Sequence, residues 1–435
     1  MGVLILAGGS SRRMGKDKLS LPLFGKTILE QTVAIYRRVF AEVEVITKDR
    51  IGESFALEGM GGTLRGAARL LPDHWQGVVI ALGDMPFVGI NSLQALSRAI
   101  AMKPEEVWCL SYRGRRGHPV YLPRKYFSYL KRLTGDTGLR DLLPELSPKY
   151  IDTEDYGVLF DIDKSDDYLP FQRLVVVKGA GDIATGIIWR LHQAGFKVVA
   201  TELSKPTAIR RMVAFAQAIY TGEHTVEGIT ARRSNLFEVP NLLVNDFIPV
   251  IPDEEGIVVK ELKPWAVVDA RLAKKNLGTK KEEAEIVIGV GPGFTAPEEV
   301  HAVIETKRGH YLGRAIYQGS ALPNTGIPGE IGGHTVKRVV YSPGRGKVCW
   351  YFDFGQEVKA GEVIGTVGEK QIVAAVSGVI RGLIHPEVWV EEGMKIGDID
   401  PRGIKEYAFT ISEKALAIAG GVLEVLLKLG NTSLK

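Results

Sequence analysis

Twice in this chain an apolar strand runs straight into a glycine turn and then into a helical pattern. The first is VLILAGG at the N-terminus, and the second is RLVVVKGAGDIATG (Arg173–Gly186). A continuous apolar run followed by such a turn is how an open parallel sheet begins a βαβ unit. Two starts therefore point to two doubly wound α/β units, in keeping with 435 residues being about three times the usual domain length. After the first start, VEVIT and VVIALGD alternate with helical stretches such as ILEQTVAIYRRVF, which predicts a mostly parallel, Rossmann-like sheet up to Gln172. After the second, FKVVATEL, AVVDA and IVIGVGPG supply further strands of a second Rossmann-type unit. Beyond about Tyr341 the texture changes to short strands punctuated by glycine, expected as a small β-barrel or sandwich closed by an amphipathic helix over Ala415–Gly430. Domains are thus expected at 1–172, 173–340 and 341–435, all of the α/β class except the last.

Composition removes several function classes. Hydrophobic residues at 45% and charged ones at 24% are globular values. A net charge of +4 with no long lysine–arginine run leaves no footprint of a nucleic-acid binder. Cys109 and Cys349 are far apart and outside any CxxC, so a disulfide framework and a cysteine metal site are excluded and a reducing, cytoplasmic setting is expected. The opening apolar run is too short for a signal segment, and the late apolar stretch carries Glu424 and Lys428, so no membrane span is expected. Glycine is the outlier: 50 residues, which read as clustering in loops after apolar runs and suggest backbone-lined ligand sites.

The first turn, LAGGSSRRMGKDKL (Leu6–Leu19), places Leu6, Ala7, Gly8, Gly9 and Ser10 ahead of Arg12, Arg13 and Lys18. Glycines let main-chain N–H groups approach a phosphate and the cations neutralise it, so the segment suits a nucleoside triphosphate. The Walker spacing is absent. Downstream, Asp84 ends the apolar run VVIALGD, where open sheets place ligand-binding groups and a carboxylate can hold Mg²⁺.

These segments together resemble the molybdenum cofactor nucleotidyltransferases, a branch of the MobA-like group. The match also runs through EGMGGTLRGAA (Glu58–Ala68, with Gly62), GDMPF (Gly83–Phe87), RGHPVYL (Arg116–Leu122), GDTGLRDLL (Gly135–Leu143) and FDIDKSDDY (Phe160–Tyr168). The resemblance implies that the Gly8–Gly9 turn holds the nucleotide and that Arg13 and Lys18 bind its phosphates. It implies Mg²⁺ on Asp84, with Asp163 or Asp161 as a second carboxylate, and His118 near the acceptor. Such enzymes join the nucleotide α-phosphate to the terminal phosphate of molybdopterin and release pyrophosphate. LAGG is the guanylyl form of the opening, whereas KDKLSLPLFGKTILE looks cytidylyl-like. CTP is the expected substrate, with GTP as the alternative.

In the second start, Gly179 and Gly181 supply GxG after a strand, and Glu202 ends the next strand where a ribose hydroxyl could bond. Asp182 beside that turn would repel an anion unless a cation intervenes. Asp269, Arg271 and the GVGPGF turn with Gly291 and Gly293 also follow apolar strands, so a parallel sheet would gather them on one edge near Lys274 and Lys275. A polyanion such as a pterin dinucleotide is the expected ligand. His301 and Glu305 are four apart, as on one helix face, but His310 lies past Gly309, and satisfied surface histidines are the expectation. The half from Arg173 onward resembles the YqeB family, associated with maturation of selenium-dependent molybdenum hydroxylases, through segments such as GAGDIATG, TELSKPTAIRR (Thr201–Arg211) and NTGIPG (Asn324–Gly329).

Gly355–Ile384 has the rhythm of biotinyl carriers, but Lys370 stands between Glu369 and Gln371 on a short hairpin, against a cofactor-bearing lysine. GDIDPRG reads as a polar turn carrying Asp398, Asp400 and Arg402. The whole is expected to make molybdopterin cytosine dinucleotide in the first unit and to bind or process it in the second, for a molybdenum hydroxylase apo-enzyme as partner. A sugar or polyol-phosphate nucleotidyltransferase and a non-catalytic cofactor-insertion chaperone are the competing expectations.

Overall fold

Alternation of side chains across a pleat decides which core each strand residue enters. In Gly2–Leu6 (β1), Leu4 and Leu6 join one apolar cluster and Val3 and Ile5 the other, so both faces are covered. The computed structural model describes residues 1–8, 17–135, 137–324, 326 and 329–432. They form two units: Met1–Gln172 with Phe237–Asp246, and Arg173–Leu236 with Phe247–Lys435.

In the first unit the chain continues through α1 (Ile28–Tyr36), β2 (Val43–Ile46), α2 (Met60–Ala67), β3 (Gly77–Leu82), α3 (Ile90–Met102), β4 (Trp108–Tyr112), β5 (Arg115–Pro123), β6 (Lys149–Thr153) and α4 (Ser165–Gln172). The sheet order is β2-β1-β3-β5-β4-β6, parallel except for β5. Thr27 and Glu30 close a reciprocal cap on α1. The segment around Gly61, Gly62 and Gly66 is not a loop but helix α2. Its glycines answer to packing: a Cβ on Gly62 would sit 2.2 Å from the Phe55 carbonyl oxygen, and one on Gly66 2.8 Å from Ile51 Cβ.

The second unit contains β7 (Val175–Lys178), α5 (Asp182–Gln193), β8 (Val198–Glu202), β9 (Glu223–Val226), β10 (Ile229–Arg233), β11 (Ile248–Pro252), α6 (Ile257–Leu262), β12 (Ala266–Asp269), β13 (Ile286–Val290), β14 (Ala302–Ile304) and β15 (Ala315–Ile316). Its sheet order is β9-β10-β11-β8-β7-β12-β13-β14-β15, parallel between two antiparallel edge strands. From β7 the chain first builds outward through β8 and later returns to β12 on the other side. That reversal opens a crevice beyond the carboxyl ends of the strands.

The same unit goes on through β16 (Val339–Tyr341), β17 (Gly346–Trp350), β18 (Glu357–Val358), β19 (Val363–Val367), β20 (Lys370–Val373), β21 (Gly378–Leu383), β22 (Trp389–Val390), β23 (Lys395–Asp400) and α7 (Glu413–Thr432). Two four-stranded antiparallel sheets, β16-β23-β21-β18 and β20-β19-β17-β22, share a core that includes Val348, Ile364, Ile380 and Ile396. Two expectations are corrected here. Asp398 and Asp400 belong to strand β23 rather than to a polar turn, because Gly397 and Ile399 pair with neighbouring strands. Residues 302–304 form β14, so His301 and Glu305 do not share a helix. His301 Nδ1 accepts from Val287 N–H, and the Glu305 carboxylate accepts from Thr306, Lys307 and Leu322 N–H.

Candidate active site

Strand β1 ends where Ala7 N–H donates to Ile46 O at 2.9 Å and Gly83 N–H donates to Leu6 O at 3.0 Å. These bonds bring the ends of β1, β2 and β3 to one edge, with Asp84 just past β3 and 18% exposed. The chain returns to this edge at 160–163, where Ile162 N–H donates to Asp84 O at 3.0 Å and its side chain is fully buried. With Ile162 pointing into the core, its two neighbours face the edge. Asp84, Asp161 and Asp163 each offer an oxygen there, all within 4.8 Å of one another.

Lys18 Nζ sits 2.5 Å from Asp84 Oδ2 and 2.8 Å from Asp163 Oδ1. Burial alone would lower this ammonium, but the carboxylates of Asp84 and Asp163 outweigh it and hold it above its usual range. Asp161 is raised, first by burial and then by the charges of Asp84 and Asp163. Three hard oxygen donors with one lysine make a set suited to a hard divalent cation and, beside it, a polyphosphate.

The other expected residues fall as follows. Leu6, Ala7 and Gly8 lie at the end of β1; a Cβ on Gly8 would approach Thr63 Cγ2 at 3.3 Å, so Gly8 itself lies close to α2. Gly9, Ser10 and Arg13 lie outside the described residues. Gly62 is buried within α2 against Phe55. His118 lies two positions beyond the Ile80–Val120 pair, toward the end of β3 that leads to Asp84. Its Nδ1 is buried with no partner among the described residues. Burial, then the Arg116 guanidinium, push it down to about 4, so the ring is neutral near pH 7.

In the second unit, Gly179, Gly181, Asp182, Glu202, Ala270 and Arg271 line a cavity of about 500 Å³ in the crevice beside β7. Asp182 has the cationic partner its position requires: Arg210 Nη1 lies 3.1 Å from Asp182 Oδ2. Glu202 accepts from Ala180 N–H at 2.9 Å and Leu203 N–H at 2.8 Å, and burial raises it. Asp269 is buried at the end of β12, gripped by Arg271 and accepting from Thr279 Oγ1. Gly291 and Gly293 take positive φ after β13, and a Cβ on Gly293 would lie 2.6 Å from Lys275 Cα. Asp398, singled out in the sequence within GDIDPRG, faces this cavity too, and sequence reasoning missed Arg210 and Lys395, which also line it. The charge of Asp182 signalled that a cation was needed but not which one.

Comparison with known proteins bears on both units. Residues 3–149 match the model of the MobA-like NTP transferase domain. The Bacillus subtilis purine catabolism protein PucB is 30% identical over 38% of this chain and 92% of its own length. The chain belongs to the MobA-like NTP transferase family. A molybdenum cofactor guanylyltransferase from Mesorhizobium japonicum is 33% identical over 27% of this chain and 64% of its own. YqeB of Escherichia coli is 51% identical over 264 residues, 60% of this chain, a length that reaches past the first unit. The chain spans about half of that relative, 49% of its length. A MobA-like nucleotidyltransferase domain is thus fused to a YqeB-related unit. Among the described residues no helix is long and apolar enough to cross a membrane.

Proposed function

We propose that the first unit transfers CMP from CTP to the terminal phosphate of molybdopterin, giving molybdopterin cytosine dinucleotide and pyrophosphate. The observation that carries this reading is the meeting of Asp84, Asp161 and Asp163 with Lys18 on the sheet edge beyond β1 and β3. A phosphate monoester has its second pKa near about 6, so the acceptor is mostly dianionic at neutral pH and needs no general base. Its oxygen attacks the α-phosphorus, the bond to the α–β bridging oxygen breaks, and pyrophosphate leaves with that electron pair. The residues of the unit orient the reactants and balance charge. Asp84 with Asp163 and Asp161 would hold Mg²⁺, which supplies charge neutralisation when bound. Lys18 and Arg13 meet the phosphates, and His118, neutral at working pH, lies toward the acceptor. The second unit holds the product for a molybdenum hydroxylase apo-enzyme in the cytoplasm.

Transfer of GMP is the second reading, favoured by the LAGG opening and by the likeness to a relative named as a guanylyltransferase. The deciding assay is pyrophosphate release from CTP or GTP, with and without molybdopterin. Release from CTP that depends on molybdopterin is the expected result, and Asp84→Asn should lower it by about three orders of magnitude. Release from GTP alone would move the assignment to the guanylyl reaction. Release with a phosphorylated alcohol in place of molybdopterin would overturn both.

A further inference from the structure

Next to the cavity beside β7 the second unit holds another of about 780 Å³, and the two share Asp182, Arg210, Lys395 and Asp398. Among the described residues, eight lysines and arginines and three carboxylates line it. Arg210 is paired with Asp182, Arg338 with Asp398 and Arg308 with Glu413. Arg381 is paired with Asp400 at 3.6 Å and donates its Nε–H to Tyr407 O at 3.1 Å. Lys274, Lys307, Lys395 and Lys414 make no side-chain hydrogen bond or ion pair among the described residues. Cations without a hydrogen-bonded partner around one concave space repel one another, and burial pulls the ammonium groups of Lys395 and Lys414 down although carboxylates such as Asp398 and Asp182 oppose it. Arg210, only 7% exposed, keeps its Nε buried with no partner among the described residues. A mobile anion in the cavity would relieve both costs.

Part of the glycine turn after β7 is already engaged within the protein. Gly179 N–H donates to Thr201 O at 2.8 Å and Ala180 N–H to Glu202 at 2.9 Å. Ile183 N–H is taken at 2.9 Å by the carboxylate of Asp182, which fills the place at the start of α5 where a phosphate would otherwise dock. The adjoining cavity is different in character: Glu202, Asp253 and Glu254 line it and offer acceptors to hydroxyl or amine groups.

We propose that the second unit binds a small molecule carrying two or more phosphate charges, seated on Lys274, Lys307, Lys395 and Lys414 rather than on the glycine turn, with its uncharged part toward Glu202. This deepens the reading of the second unit as a ligand holder and does not depend on the reaction of the first.

The test uses the full chain in EDTA with two probes, inorganic pyrophosphate and CDP. Limited acetylation read by peptide mass spectrometry should show Lys395 and Lys414 protected by saturating probe. In titration calorimetry, Lys395→Ala and Lys414→Ala should each weaken binding about tenfold. Their melting temperature should stay level or rise, since a repelling charge is removed, which separates lost binding from lost folding. Asp84→Asn should leave this binding unchanged. CDP binding more tightly than pyrophosphate assigns a nucleotide, and equal binding assigns the polyphosphate group alone. Absence of protection at Lys395 and Lys414, or an affinity that follows Asp84 and ignores the lysines, overturns the proposal.

Discussion

Asp161 stands on the three-carboxylate edge within reach of Asp84 and Asp163. Its pKa is raised in the folded chain by burial and by the charges of Asp84 and Asp163, against 3.8 for the free side chain. A raised carboxyl is protonated in both states at low pH, and as pH climbs past 3.8 the unfolded chain releases its proton first, so stability is lost with rising pH. Asp161→Asn should therefore raise the melting temperature of the metal-free protein at pH 7 by about 2–4 °C. That gain should fade toward pH 3.8 in a pH series of thermal melts. If Asp161 is a ligand, the same variant should also shrink the upward shift that Mg²⁺ gives the wild type. Asp84 was legible from the sequence because it ends an apolar strand. Asp161 and Asp163 were legible only through the resemblance, since FDIDKSDDY has no periodicity that says which acid faces the edge; the burial of Ile162 between them decides it.

At the scale of elements, two packing contacts of the second unit rest on the absence of a side chain. A Cβ on Gly186 of α5 would come 2.7 Å from Ala415 Cβ on α7, and one on Gly421 of α7 2.1 Å from Gly313 O. Gly421→Ala gains about 1 kcal/mol of helix propensity but forces a rigid backbone apart, at a cost of about 1–3 kcal/mol. The clash should win, and thermal denaturation should show a lower midpoint; an unchanged or higher one would mean α7 can shift. The strands were readable from their apolar runs, and α7 from its spacing. The helix α2 was not, because three glycines in eight residues argue for a loop by local propensity. Close approach to Ile51 and Phe55 reverses that preference, and it exists only once the helices meet.

At the scale of the molecule, the first unit is discontinuous: Phe237–Asp246 belongs to it although the second unit's strands lie on both sides in sequence. Asn241 Nδ2 donates to Phe87 O at 2.9 Å and to Asp155 Oδ1 at 2.7 Å, while the buried Asp155 also accepts from Gly89 and Gly157 N–H and from Ser92. Asn241→Ala should cost the first unit about 1–3 kcal/mol by leaving buried acceptors short of a donor. Calorimetry should show the loss in the transition that CTP raises, and a fragment ending at Gln172 should lose more. By itself the sequence determined two α/β starts, a β-rich tail, the acid after β3 and the glycine turns, because each is a pattern of neighbours along the chain. Only the tertiary structure decided that Lys18 meets Asp163 across 145 positions, that Arg210 answers Asp182, and that lysines from distant segments share one cavity. Charge and burial at such places depend on which segments the chain path brings together, and no local spacing encodes that path.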